Sequence, residues 1–363
     1  MKHPYIYLRG LRHVEHSVFN VAQNGLKTYY DPYNHKEVAY SSGQQVKRSI
    51  LQQFCDNLNI GMAPITFNWE ISTKASQKQP FHPCNPSYFD QLIGGYMKAA
   101  DESIIIKRRS PLSISAMRPL HPSYCTLASE ATDFDRKGMP AEYNAKEEKQ
   151  GVNNVRVYRV KDKKQVELSE EELRQWLSQR DRSLPPHYYN PSEQKRATGL
   201  FVYDVAIDLR TLFCVSTNQF EPEVSPEMIT KLETMGWKKG RNVFGDCLIL
   251  PEAQRNEVIP ALANALINWR ITSNQARTFS LMETFAIAID NDANKLADAI
   301  RTESVQDSIS KVYAVVDKDD CENVYVTMAS SGYLATGLET KTALKDAEAK
   351  LIEMLSAFDY EHQ

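Results

Sequence analysis

Two short stretches hold the residues whose types and spacing suit binding chemistry. In SSGQQVKRSI, Ser42 and Gln45 stand at capping-box spacing ahead of a helix, and Lys47 and Arg48 follow in its first turns. Val46, Ile50, Leu51, Phe54 and Leu58 define the apolar sector of that helix; Lys47 falls inside it, whereas Gln44, Gln45, Arg48 and Gln52 do not. A lysine placed there snorkels toward the helix N-terminus, where the leading amides and the macrodipole favour an anion. Ser42, Gly43, Gln44, Lys47 and Arg48 can therefore form a phosphate cradle, or else an ordinary capped helix with solvated cations. In the second stretch, IIIKRRSPLSIS, the three consecutive cations Lys107, Arg108 and Arg109 suit either a grip on a polyanion backbone or a solvated loop.

Candidates for bond-breaking chemistry are sparser. His13 and His16 have the titration range for acid–base work on RNA, and Asp31 in TYYDPY is an acid on a turn. Polar packing for the histidines and an Asp-Pro turn for Asp31 are the plainer readings. His82, Cys84, His121 and Cys125 offer zinc-binding atoms, but at HxC and HxxxC spacing, so no metal is expected. Neither GxGxxG nor GxxxxGK[ST] occurs, and no nucleotide cofactor is expected.

The elements that must position these residues follow from periodicity. Residues 5–8 alternate as a first strand, and Asn24-Gly25 with Asp31-Pro32 mark an excursion or hairpin. A helix is predicted from Gly43 to Asn57. Residues 61–121 are Pro-rich and irregular, and 130–196 are polar and charged with one evident helix, SEEELRQWLSQR. A strand follows from Leu200, and a helix from about Glu257 to Trp269 with Pro260 early enough to forfeit only an N-terminal amide. Phe279 to Ile289 alternate as a strand, residues 312–316 and 324–328 flank an acidic turn as a hairpin, and Leu344 to Phe358 mark a last helix.

The 363 residues can bury a sizeable core, and 42% hydrophobic with 25% charged residues is the balance of a folded chain. A net charge of -3 announces no polyanion partner globally, so local clusters must carry that argument. Arg9, Arg12 and His13 interrupt any export signal, no apolar run approaches the ~18 residues of a membrane span, and six cysteines lie scattered without CxxC spacing. A cytoplasmic protein with reduced thiols, without a membrane, is expected.

SSGQQVKRSI resembles the Ser-Ser-x-x-x-Lys-Arg start of the first helix in the backbone subunits of CRISPR Cascade complexes, the RAMP superfamily proteins of Cas family seven. The Asp90–Gly95 segment followed by KRRSPLSIS is similar to the corresponding block of the DevR-like branch. The resemblance implies an α+β fold with a ferredoxin-like, RRM-like palm: 1–60 giving its first strand, finger excursion and first helix, 61–198 the finger and thumb insertions, 199–363 the remainder. It implies a non-catalytic, crRNA-binding subunit of a type I surveillance complex. Such a subunit oligomerises along the guide and presents it to target DNA in antiviral defence. Implied partners are crRNA, copies of the chain itself, and the large, cap and guide-processing subunits. The implied RNA-binding residues are Lys27, Ser42, Gly43, Gln44, Gln45, Lys47, Arg48, Lys107, Arg108, Arg109 and Arg277. The alternatives are a RAMP-family endoribonuclease using His16 or Asp31, and a free-standing RNA-binding module.

Overall fold

The computed structural model describes residues 3–19, 21–22, 25–71, 75–77, 80–98, 105–134, 158–161, 164–179, 188–271, 280–305 and 308–363. The chain divides into two compact units, residues 1–128 with 196–363, and residues 129–195.

The larger unit is built on one sheet. Its central strands are β1 (Tyr5–Ser17), β2 (Tyr188–Asp208, whose first residues belong to the smaller unit), β3 (Thr284–Asp290) and β4 (Val324–Thr327). The sheet runs Leu112–Ile114, β2, β1, β3, β4 and Glu339–Thr340, antiparallel throughout except for the last pair. Strand β1 places Ile6, Leu8 and Val14 on one face and Leu11 with His13 on the other, the period-2 alternation of a strand buried on both sides. Helices α1 (Gly43–Asn57), α2 (Glu252–Asn268) and α3 (Ala343–Ser356) cover the first face, α2 packing against both others. Helix Ala293–Ala299 and the ribbon of Ile300–Val305 with Ser308–Val316 are packed with the second. The architecture is thus α+β with one large mixed sheet.

Gly10 shows how tightly that sheet and helix layer fit. A Cβ there would stand 2.2 Å from the Tyr203 ring, which lies across the strand and donates its hydroxyl to Leu266 O at the end of α2. Arg12, fully buried, donates to Ile267 O, Trp269 O and Met282 O, with its guanidinium 4.1 Å from the Trp269 ring centroid. Burial pulls this guanidinium down to about 10, so it stays charged at neutral pH and satisfies the helix's terminal carbonyls.

Three expectations change. Residues 312–316 do not pair with 324–328: the former join the ribbon with 300–305 and the latter become β4 beside β3. The acidic turn therefore links two sheets rather than closing a hairpin. Helix α2 begins at Glu252, so Pro260 lies inside it; its polar first turns, EAQRN, had no apolar period to mark them. A three-stranded sheet, Cys214–Ser216, Gly245–Ile249 and Lys238–Asn242 in that order, with helix Pro226–Thr234, fills a region where no elements were expected. In the smaller unit, Tyr158–Lys161 pairs with Lys164–Glu167, and helix Glu170–Ser178 carries the capping box Ser169–Glu172. Among the described residues no helix is long and apolar enough to cross a membrane.

Candidate nucleic-acid interface

Helix α1 starts where the chain leaves the hairpin Thr28–Asp31/Lys36–Ala39. Ser42 is its N-cap, accepting from Gln45 N at 3.4 Å. Ser41 exchanges both backbone hydrogen bonds with Met117 at 2.9 Å, fixing the helix entry to the segment after Leu112–Ile114. Tyr40 N donates to Lys27 O, which brings Lys27 to the same end of the helix. Gln44 and Arg48 are exposed, Ser42, Gly43 and Gln45 half-buried.

Lys47 is the unusual member. Its neighbours Val46 and Ile50 are fully buried, and it is itself half-buried, without a hydrogen bond or ion pair among the described residues. Desolvation alone pulls its ammonium from 10.5 to about 8. A cation held out of water without a counter-charge, one turn inside a capped N-terminus, is a site whose electrostatics improve when an anion arrives. Lys27 and Arg48 likewise have no side-chain partner among the described residues.

Arg108 of the KRR block is not part of this cradle. Arg108 is buried, with Nε donating to Leu92 O, Nη1 to Cys214 O and Glu223 Oε2 (2.7 Å), and Nη2 to Thr211 O. Its fork is spent on the interior, so Arg108 is withdrawn as a phosphate contact; it joins α1's neighbour helix Phe89–Gly94 to the three-stranded sheet. Lys107 and Arg109, either side of it, are exposed. Arg277 lies outside the described residues.

One cation at the helix entry was missed. Arg118 follows the Ser41–Met117 bridge, half-buried, with Nη2 3.4 Å from Asp204 Oδ2. Asp204 is already held by Arg9 at 2.6 Å, and Arg118 Nη1 is buried without a partner. The available signal was its being the only cation between Ser110 and Leu120.

Of the candidates for bond-breaking chemistry, Asp31 and His13 have their side chains tied into the fold, and His16 is exposed. Asp31 Oδ1 accepts from Asn34 N and Nδ2 at 2.7 and 3.0 Å, contacts that hold its carboxyl below the usual range and close the turn. His13 is buried against Phe285 and Tyr333, its Nδ1 3.4 Å from Glu283. His16, at a positive φ of 40°, donates its backbone N–H to Thr198 Oγ1. Cys125 accepts from Ala39 N, and His121 Nδ1 from Ser123 N; among the described residues no three His, Cys, Asp or Glu side chains are grouped to hold a metal.

No protein-family model matches this chain, and no curated protein matches it in sequence. Among solved structures it is similar to a chain described as "CRISPR RNA-guided surveillance complex, pre-nicking", with a TM-score of 0.51 and 10% identity over 96% of this chain and 100% of that one. It is also similar to a chain of a "CRISPR RNA-guided surveillance complex", with a TM-score of 0.45 and 10% identity over 98% and 100%. The class this defines is one of fold: an architecture shared across nearly the whole chain with a component of an RNA-guided surveillance complex.

Proposed function

We propose that this chain is a non-catalytic backbone subunit of a type I CRISPR surveillance complex, of Cas family seven and its DevR-like branch, holding guide RNA at the N-terminus of α1. The observation that carries the reading is Lys47, half-buried and uncompensated beside a capped helix start, where a phosphate supplies the missing charge. On this reading the sheet and helices form a ferredoxin-like palm, copies stack along the crRNA in the cytoplasm, and the large, cap and guide-processing subunits complete the complex. A shared subunit must accept any spacer sequence, so affinity resides in phosphates and target DNA is read by the guide. The fold likeness to a surveillance-complex chain supports it. The non-catalytic assignment is supported by Asp31 and His13, whose polar atoms serve a turn and a buried stack.

The test is purification from a host expressing a repeat array. The chain should carry RNA and elute as long, salt-sensitive oligomers, and Asp31→Ala and His16→Ala should leave target DNA binding intact. A monomer free of RNA that also fails to bind RNA at low salt defeats the proposal, as does RNA cleavage abolished by either substitution.

A further inference from the structure

The three-stranded sheet carries a second surface outside the α1 site. Its edge strand Lys238–Asn242 and the turn after it read KKGRNVF, three cations followed by an aromatic, and the side chains of Lys239 and Arg241 are 78% and 77% exposed. Their only ion pairs among the described residues are with Glu233 and Asp246 at 3.1 Å, contacts between exposed groups that contribute little and exchange readily with another anion.

The turn ends a preorganised stack. Tyr7 and Tyr5 stack with ring centroids 5.9 Å apart and planes 22° from parallel. The Arg210 guanidinium lies 4.9 Å from the Tyr5 centroid and 4.9 Å from that of Phe244, and Asp208 holds it through two hydrogen bonds of 2.8 and 2.9 Å. Asn242 locks the turn: its Oδ1 accepts from Phe244 N, and its Nδ2 donates to Arg210 O and Cys214 Sγ. Phe244 thus closes a ring–ring–cation–ring column while remaining 64% exposed. Beside it, Thr217 N donates to Asp246 O, which brings the loop bearing Phe220, 98% exposed, to the same end of the sheet. Lys239 and Arg241 project from the face of this edge strand opposite Asn242 and Arg210, so an unpaired base stacked on the exposed ring would send its backbone over the strand edge onto the two cations.

We propose that Phe244, Lys239 and Arg241 bind single-stranded nucleic acid, an unpaired base extending the Tyr7–Tyr5–Arg210–Phe244 column while its phosphates displace Glu233 and Asp246 from the two cations. The site is independent of the guide assignment. It takes single-stranded RNA or DNA in preference to duplex, whose internal bases have no free face for the ring.

The experiment titrates the full chain with fluorescein-labelled oligouridine, oligodeoxythymidine and a DNA duplex, each of about 20 nucleotides, enough to cover one site. Phe244→Ala should weaken at least one single-stranded probe about tenfold, and Lys239→Ala with Arg241→Ala should lower its salt slope by about 1.4. Duplex binding should be unchanged by Phe244→Ala, whereas loss of the two cations weakens binding of any polyanion. A loss confined to RNA assigns the site to the guide, and one confined to DNA to an unpaired target strand. Unchanged affinity for both single strands overturns the proposal. So does self-association without nucleic acid that Phe244→Ala abolishes, which makes the surface a protein contact. Parallel titration of Lys47→Leu and Arg48→Ala separates the two sites: weakening by Phe244→Ala with both of those silent upholds this proposal and removes the guide from α1, and the converse result does the reverse.

Discussion

Gly43 lies directly against the main chain of Ile114: a Cβ on Gly43 would stand 2.5 Å from Ile114 O and 3.2 Å from Ser115 O. The first residue of α1 is thereby seated on the end of the sheet's edge strand. The orientation of the phosphate cradle is inherited from that seat, not from the helix alone.

Gly43→Ala should therefore push the helix start away from Ile114. Backbone is less forgiving than a side-chain tip, and the expected cost is about 1–3 kcal/mol. Calorimetry should show a lowered thermal midpoint, and RNA affinity should fall with it. An alanine variant as stable as the parent would mean the helix start moves freely.

Lys47→Leu suits an apolar sector, so it should keep or raise the thermal midpoint while RNA binding weakens. In a salt series on single-stranded RNA, the slope of log affinity against log salt should fall by about 0.7 for each phosphate no longer neutralised. Arg48→Ala should behave alike without the stability gain. Gln53→Ala, whose amide only reaches Asn57 one turn on, should do little. Unchanged affinity in both Lys47→Leu and Arg48→Ala would remove the guide from this helix.

The lowered titration of Lys47 also sets a pH dependence. Burial brings the folded-state ammonium to about 8 against an ordinary 10.5. Between those values the unfolded chain binds more protons, so stability rises with pH across that window, and the burial cost is fully present below it. The midpoint difference between Lys47→Leu and wild type should narrow as pH rises above about 8. RNA changes the sign of the readout. A phosphate raises the bound-state value, so the ion pair is complete below about 8 and weakens as pH climbs. Wild-type affinity should then decline over that range while Lys47→Leu stays flat; parallel profiles would show no phosphate at this lysine.

Much of the α1 region was legible because its signals are local. Capping and period 3.6 together bound Gly43–Asn57, and Lys47's misfit in the apolar sector is a property of one helical wheel. What was not legible depends on distant partners. Spacing suggests that residues 312–316 and 324–328 pair with each other, but the first pair with Ile300–Val305 across the ribbon and the second join the large sheet beside β3, partners that are not adjacent in the pattern. The sheet around Lys238–Asn242 has strands of three to five residues with glycines in two of them, too short for alternation to show. Arg108 looked like its neighbours in sequence; only the fold reveals four acceptors waiting for it.

That difference within KRR sets how each of the three cations responds to substitution. Arg108→Ala would leave Glu223 with its charge partner gone and the carbonyls of Leu92, Thr211 and Cys214 without their donor, in a region where Ser216 N and Tyr96 Oη also bond to Glu223. Breaking one half of a buried, multiply bonded pair costs about 3–5 kcal/mol. Arg108→Lys should recover little, because a point charge on a flexible stem cannot reach four acceptors arranged around a planar fork. Lys107→Ala and Arg109→Ala, which remove exposed cations, should stay within about 0.5 kcal/mol of wild type. Urea unfolding of the four variants, with RNA affinity measured on the folded protein at low temperature, separates the roles. Arg108→Lys should be much less stable yet bind RNA like the parent while folded. A stable Arg108 variant that no longer binds RNA would return this residue to the nucleic-acid surface and contradict its placement as the bolt between helix Phe89–Gly94 and the three-stranded sheet.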